Sequence, residues 1–271
     1  MAFIRNKISL LILALILVLF SDCKKSDKNE VDNESQSVVD CSIAGQEFSA
    51  LVSSVCYAAF NTQGLSPNVT LTNISACDKL IFDTLKSDGR HYRLNASQYC
   101  SFPDGKTRSG LLTVRTPNDT LRLGSKITIW SSGYSCGDLI LFCDSITATI
   151  VAVNSDNVLY DLRIMNGKVQ IGTGNIKCDV NGQLQNYNKN NNQYSILTGV
   201  INGINRGGGN FSSAIYRTGI KKFRNCGYIS EGFMELTPEG FKARTVDFGD
   251  GTCDDLASFR VNENTVAFKL K

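Results

Sequence analysis

The sequence predicts a mainly β fold, an antiparallel β-sandwich or open barrel built of hairpins, with one short N-terminal helix. Three observations lead there. Apolar and polar residues alternate with a period of two in run after run beyond Asn61. Asn-Gly and Asp-Gly dipeptides, which tolerate the positive φ of tight turns, recur among those runs. Only Cys41–Phe60 carries a helical period.

The chain opens with Arg5 and Lys7, then the 13-residue apolar run Ile8–Phe20, then Ser21-Asp22-Cys23. The run is short for a spanning helix, which needs about 20 apolar residues, and suits a secretory signal over residues 1–22. A cysteine closing such a run resembles a bacterial lipoprotein lipobox. The resemblance implies acylation of Cys23, palmitate being one such chain, and a membrane anchor through the lipid. Asp22 departs from that pattern, which favours a small uncharged residue. Residues 23–40 are polar and mixed in charge, and read as a flexible tether.

The expected helical segment spans 41–62. Ile43, Phe48, Leu51, Val52, Val55 and Ala59 share one broad face, Ser42 is the candidate cap, and Gly45 weakens the first turn. The β body then covers 63–271, with a division into halves near 153/154. Its strands are expected at Lys126–Trp130, Ile146–Val153, Val158–Met165, Tyr194–Ile201, Arg244–Phe248, Ser258–Val261 and Thr265–Leu270. Turns are expected at Asp88-Gly89, Asp104-Gly105, Asn166-Gly167, Asn181-Gly182, Asn202-Gly203 and Asp250-Gly251. Asn186–Gln193 and Arg206–Asn210 read as polar surface loops; neither has the Lys-Ser/Thr continuation of a phosphate cradle.

Composition narrows the function classes. The 271 residues carry a net charge of +3, with no dense Lys/Arg stripe, so nucleic acid is not an expected partner. Ten cysteines with no C-x-x-C pair and one histidine argue against zinc and for disulfides in an exported protein. With Cys23 acylated, nine cysteines remain, an odd number that leaves at least one free. Cys226–Cys253 is the leading pair, flanking a hairpin. Cys77–Cys100 follows from a looser echo of that segment, and Cys136–Cys143 would close a short loop between neighbouring strands. Cys41, Cys56 and Cys178 are unplaced.

Asn225-Cys226 through Gly232, followed by Asp247-Phe248-Gly249-Asp250-Gly251-Thr252-Cys253-Asp254, resembles the closing motif of an uncharacterised Bacteroidetes-type surface lipoprotein family. Cys100 through Gly110 is similar to an earlier motif of the same group, although Leu94-Asn95-Ala96 replaces the Asp-Phe-Gly that often precedes it. The resemblance spans residues 76–271 loosely. It implies an exported, lipid-anchored β protein at the outer membrane or cell surface, and supplies no activity.

No catalytic residue is assigned. Gly133-Tyr134-Ser135-Cys136-Gly137 matches a nucleophile elbow in letters, but a strand rather than a helix is expected after it, and His91 lies upstream. Asp247, Asp250, Asp254 and Asp255 are weak calcium candidates, set against a plain hairpin turn. No cofactor is expected. The sequence points to a non-enzymatic binding, adhesion or structural module with a glycan or protein ligand. The alternatives are a glycan-processing hydrolase and a calcium-dependent module. Trp130, Tyr134, Tyr160, Tyr187, Tyr194 and Tyr216 are the aromatics available to a glycan.

Overall fold

Among the described residues one helix is buried against an antiparallel meander of strands. The computed structural model describes residues 32, 34–61, 70–71, 78–117, 120–189 and 192–271. Helix α1 spans Gln36–Asn61. The strands are β1 (Thr70–Leu71), β2 (Asp78–Lys86), β3 (Gly89–Ser101), β4 (Thr107–Thr116), β5 (Lys126–Cys136), β6 (Leu139–Val153) and β7 (Asn157–Ile171). They continue with β8 (Gly174–Lys189), β9 (Asn192–Ile204), β10 (Asn210–Phe223), β11 (Glu231–Pro238), β12 (Arg244–Asp250), β13 (Leu256–Val261) and β14 (Asn264–Lys269). Each strand pairs with the next in sequence, giving one 14-stranded sheet. The mainly β expectation of an antiparallel sandwich or open barrel with one helix holds. β6 and β7 pair along most of their length, from Leu139↔Ile171 to Val153↔Val158, so the body has no break at 153/154. Among the described residues no helix is long and apolar enough to cross a membrane.

The sheet curls. Asp104, in the β3–β4 turn, meets Lys222 of β10 at 3.3 Å. β4 and β10 are six strands apart in the ladder; in a flat sheet that is about 29 Å at about 4.8 Å per strand. Alternation supplies the inward face: Leu139, Leu141, Ile146, Ala148 and Ile150 of β6 are buried beside Leu184, Leu197 and Ile201 from β8 and β9. Register shifts in β6–β7, β7–β8 and β9–β10 bend the strands as β-bulges do.

α1 is longer than expected and begins inside the predicted tether. Residues 36–40 are helical, and Ser37, Val38 and Asp40 are fully buried. These polar side chains find partners far along the chain. Asp40 accepts from Arg206 N at 2.7 Å and Arg206 Nε at 2.8 Å, and Asn205 Nδ2 donates to Ser37 Oγ at 2.9 Å. The start is fixed by Glu34, whose Oε1 accepts Ser37 N at 2.7 Å and whose main-chain oxygen accepts Arg244 Nε at 3.0 Å. Ser42 is therefore not the cap; its hydroxyl donates to Val38 O at 2.7 Å. Nor is burial confined to one face. Val38, Ile43, Ala44, Phe48, Val52, Cys56 and Ala58 are all at or below 1% exposure. Gly45 gives close approach, since a Cβ there would stand 3.1 Å from Ile201 Cδ1.

Asp88-Gly89, Asp104-Gly105 and Asp250-Gly251 form hairpin turns or strand ends as expected. Asn166-Gly167, Asn181-Gly182 and Asn202-Gly203 instead lie within β7, β8 and β9. Asn166-Gly167 is a bulge with Asn166 at φ 50°. A Cβ at Gly167 would meet Cys178 O at 2.9 Å and the Phe48 ring at 3.1 Å, so the glycine is where the helix reaches the sheet.

Cys226 and Cys253 are joined, with Cα atoms 5.7 Å apart, linking the β10–β11 and β12–β13 loops. Cys100 is disulfide-bonded, and Cys77 of the expected Cys77–Cys100 pair lies outside the described residues. The Cys136–Cys143 pairing is corrected: both are free, buried thiols. Cys136 pairs opposite Leu139 and Cys143 opposite Ser131. Four residues of extended strand separate them by about 14 Å, beyond the roughly 7 Å limit for a bridge. Cys41, Cys56 and Cys178 are free as well. Cys23 and most of the tether lie outside the described residues.

Candidate functional site

A pocket of about 270 Å³ opens between the C-terminal half of α1 and the strand ends around it. Ser53, Ser54, Tyr57 and Phe60 come from the helix. The β6–β7 turn, the β8–β9 hairpin, the end of β10 and the β3–β4 turn supply the rest. These elements meet only because the sheet curls.

Alternation decides which side chains face in. Along β8, Leu184 is buried and Asn186 shares its parity; along β9 and β10, Ser195, Leu197 and Lys222 are buried. Phe60 and Tyr160 form an edge-on pair with centroids 6.5 Å apart. Tyr187, Tyr194 and Phe223 have the opposite parity and form a half-buried cross-strand aromatic ladder at the lip. Tyr187 and Tyr194 stack at 4.5 Å, and Phe223 stands edge-on to Tyr194 at 5.8 Å. Lys221 Nζ lies 4.7 Å from the Tyr194 ring centroid.

One wall is a buried ion cluster. Arg108 grips Asp104 with two bonds, of 2.7 and 2.6 Å, and Lys222 adds a third contact at 3.3 Å. All three side chains are 5–6% exposed. Burial pushes the Asp104 carboxyl up, but the Arg108 and Lys222 charges outweigh it and hold it at about 2. Burial lowers the Lys222 ammonium against the pull of Asp104. Behind this wall Glu47 of α1 pairs with Lys106 at 2.5 Å. Burial works against the Glu47 charge, and Lys106 still keeps its carboxyl below the usual range.

The mouth carries amides held by their own network. Asn154 Nδ2 donates to Asn157 Oδ1 at 3.2 Å, and Gln193 Nε2 to Asn188 Oδ1 at 3.0 Å. Asn186 Oδ1 differs: it is buried and has no hydrogen-bond partner. Burying an acceptor unpaired costs about 1–3 kcal/mol.

Of the six aromatics proposed for a glycan, Tyr160, Tyr187 and Tyr194 line the pocket. Trp130 lies under Arg115, Tyr134 is buried, and Tyr216 is exposed on β10, bonded to Glu235. Phe60, Asn186, Lys222 and the Asp104–Arg108 pair carry no local signal that would have picked them out. Ser135 sits on β5 and the chain continues as β6, so the nucleophile-elbow context is not there. His91 pairs with Asp88 at 2.9 Å, away from the pocket.

Three of the four aspartates of the calcium alternative accept turn hydrogen bonds and the fourth is ion-paired. Asp247 Oδ1 accepts Gly249 N, Asp250 Oδ1 accepts Thr252 N, Asp254 Oδ1 accepts Leu256 N, and Asp255 pairs with Lys269. Among the described residues no group of three or more His, Cys, Asp or Glu is placed to hold a metal ion. No protein-family model, curated protein or solved structure matches the chain.

Proposed function

We propose that the protein is exported, lipidated at Cys23 and tethered to the cell envelope as a non-enzymatic binding module, at the outer membrane or cell surface, with its ligand held in the pocket beside α1. The observation that carries the binding reading is the pocket itself: a half-open, partly aromatic space lined by Tyr57, Phe60, Tyr160, Tyr187 and Tyr194 together with amide side chains. The envelope reading rests on residues 1–23 and on the resemblance to Bacteroidetes-type surface lipoproteins. The Cys226–Cys253 bond suits an oxidising compartment. Asp104 does not fit the general acid of the hydrolase alternative, because a carboxyl held ionised at about 2 does not donate protons near neutral pH, and Arg108 and Lys222 engage both of its oxygens.

A thermal-shift screen of the purified protein against sugars, peptides, nucleosides and fatty acids tests the binding reading. A ligand at 100 times its dissociation constant adds about 2.7 kcal/mol, or about 5–11 °C at this size. Ser54→Trp, which fills the pocket, abolishes that shift. A ligand that shifts wild type and variant equally would refute the site. Labelling cells with palmitate tests the anchor: label is expected on the wild type and lost in Cys23→Ala.

A further inference from the structure

We infer that the pocket takes a neutral sugar of one or two pyranose rings. This rests on the reading of the pocket as the ligand site, and names the ligand class.

Four features select it. The first is size. At about 270 Å³ the space falls just under the range of drug-sized pockets, about 300–1,000 Å³, and suits one ring or two rather than a long acyl chain. The second is charge. Arg108 and Lys222 both reach Asp104, with Arg108 gripping it by two bonds. The inner wall thus spends its charges on itself, and an ionised ligand would have to break those contacts. The third is the amide lining. Asn186, Asn188 and Gln193 bring carboxamides that donate and accept hydrogen bonds, which a hydrocarbon cannot use. The fourth is the division of the lining. Phe60, Phe102, Val158 and Tyr160 offer apolar contact inside, while Asn154 and Asn188 ring the mouth with groups that donate and accept. A pyranose has an apolar C–H face and a rim of hydroxyls that do both. A nucleobase has a fixed donor–acceptor edge and matches the amide ring less well.

Saturation-transfer NMR on the purified protein tests this. The probes are glucose, galactose, mannose, N-acetylglucosamine, maltose, cellobiose and lactose, beside adenosine, phenylalanine and palmitate. The expected result is transfer to the ring C–H protons of at least one neutral sugar. That sugar should bind about tenfold more weakly to Asn186→Leu, which removes one hydrogen bond, and not at all to Ser54→Trp. If adenosine, phenylalanine or palmitate gives the signal and the sugars do not, and Ser54→Trp removes it, the pocket stands and the sugar inference is overturned. Sugar binding unchanged in both variants overturns it too. Silence from every probe overturns the inference and the pocket reading together.

Discussion

Lys106 Nζ stands 2.5 Å from Glu47 Oε1, tying the β3–β4 turn to the middle of the buried helix. The Glu47 side chain is 1% exposed, and Gln46 Nε2 also bonds it, at 2.9 Å. Lys106 reaches Lys271 O at 2.9 Å as well, so one side chain joins the helix, the turn and the last residue.

Lys106→Met is expected to cost about 3–5 kcal/mol, because it leaves a buried carboxylate unpaired. The sign with pH is diagnostic. In the wild type the Glu47 carboxyl lies below its ordinary value, so its contribution is full above the unfolded value near 4.3 and is lost as pH falls through the folded one. In the variant Glu47 titrates upward, so the deficit shrinks as acid neutralises it. Urea unfolding of both proteins between pH 4 and 8 measures this.

Asp104 makes a second pH prediction. Its folded value of about 2 lies below an unfolded value near 3.9, so its stabilisation is present above pH 4 and lost between about pH 4 and 2. The shift corresponds to about 2–3 kcal/mol. Asp104→Asn should flatten that part of the stability profile in acid titrations followed by circular dichroism. It should also destabilise the protein at pH 7, where Arg108 and Lys222 lose their counter-charge.

Removing the Cys226–Cys253 bond as the double alanine variant should lower stability by about 3–4 kcal/mol, from a cross-link spanning 27 residues. Because the bond joins loops rather than core strands, the secondary structure should survive in the far-ultraviolet spectrum below the new melting point.

The free thiols should be silent in the folded protein. Burial pushes Cys41 up to about 12 and Cys143 to about 11, and raises Cys56, Cys136 and Cys178 as well. A chromogenic disulfide reagent at pH 8 should react with these five only after denaturant is added.

Much of the fold was legible and little of the pocket was. Strand identity followed from alternation because the inward face of the long strands is buried, in β5, β6, β8, β9 and β10 against the helix. The Asn-Gly rule failed at 166–167, 181–182 and 202–203 for a steric reason. A Cβ at Gly182 would stand 1.9 Å from Thr198 O and one at Gly203 2.2 Å from Lys177 O, so these glycines serve close strand approach instead of chain reversal. The helix start was misread because Ser37 and Asp40 look like tether residues until Asn205 and Arg206 arrive from far along the chain. The same distance hides the pocket. Asp104, Tyr160, Asn186 and Lys222 become neighbours only when the sheet curls, and nothing local separates Tyr160 from Tyr134 or Tyr216.

The central claim is that ligand binds between α1 and the strand ends. Hydrogen–deuterium exchange, with the strongest stabiliser from the thermal screen added, tests it most directly. New protection is expected at residues 53–60, 154–158, 186–189, 192–195 and 222–224, with the remaining strands unchanged. Protection confined to the opposite end of the sheet, around Asn205–Gly209 and Asn262–Glu263, would contradict it.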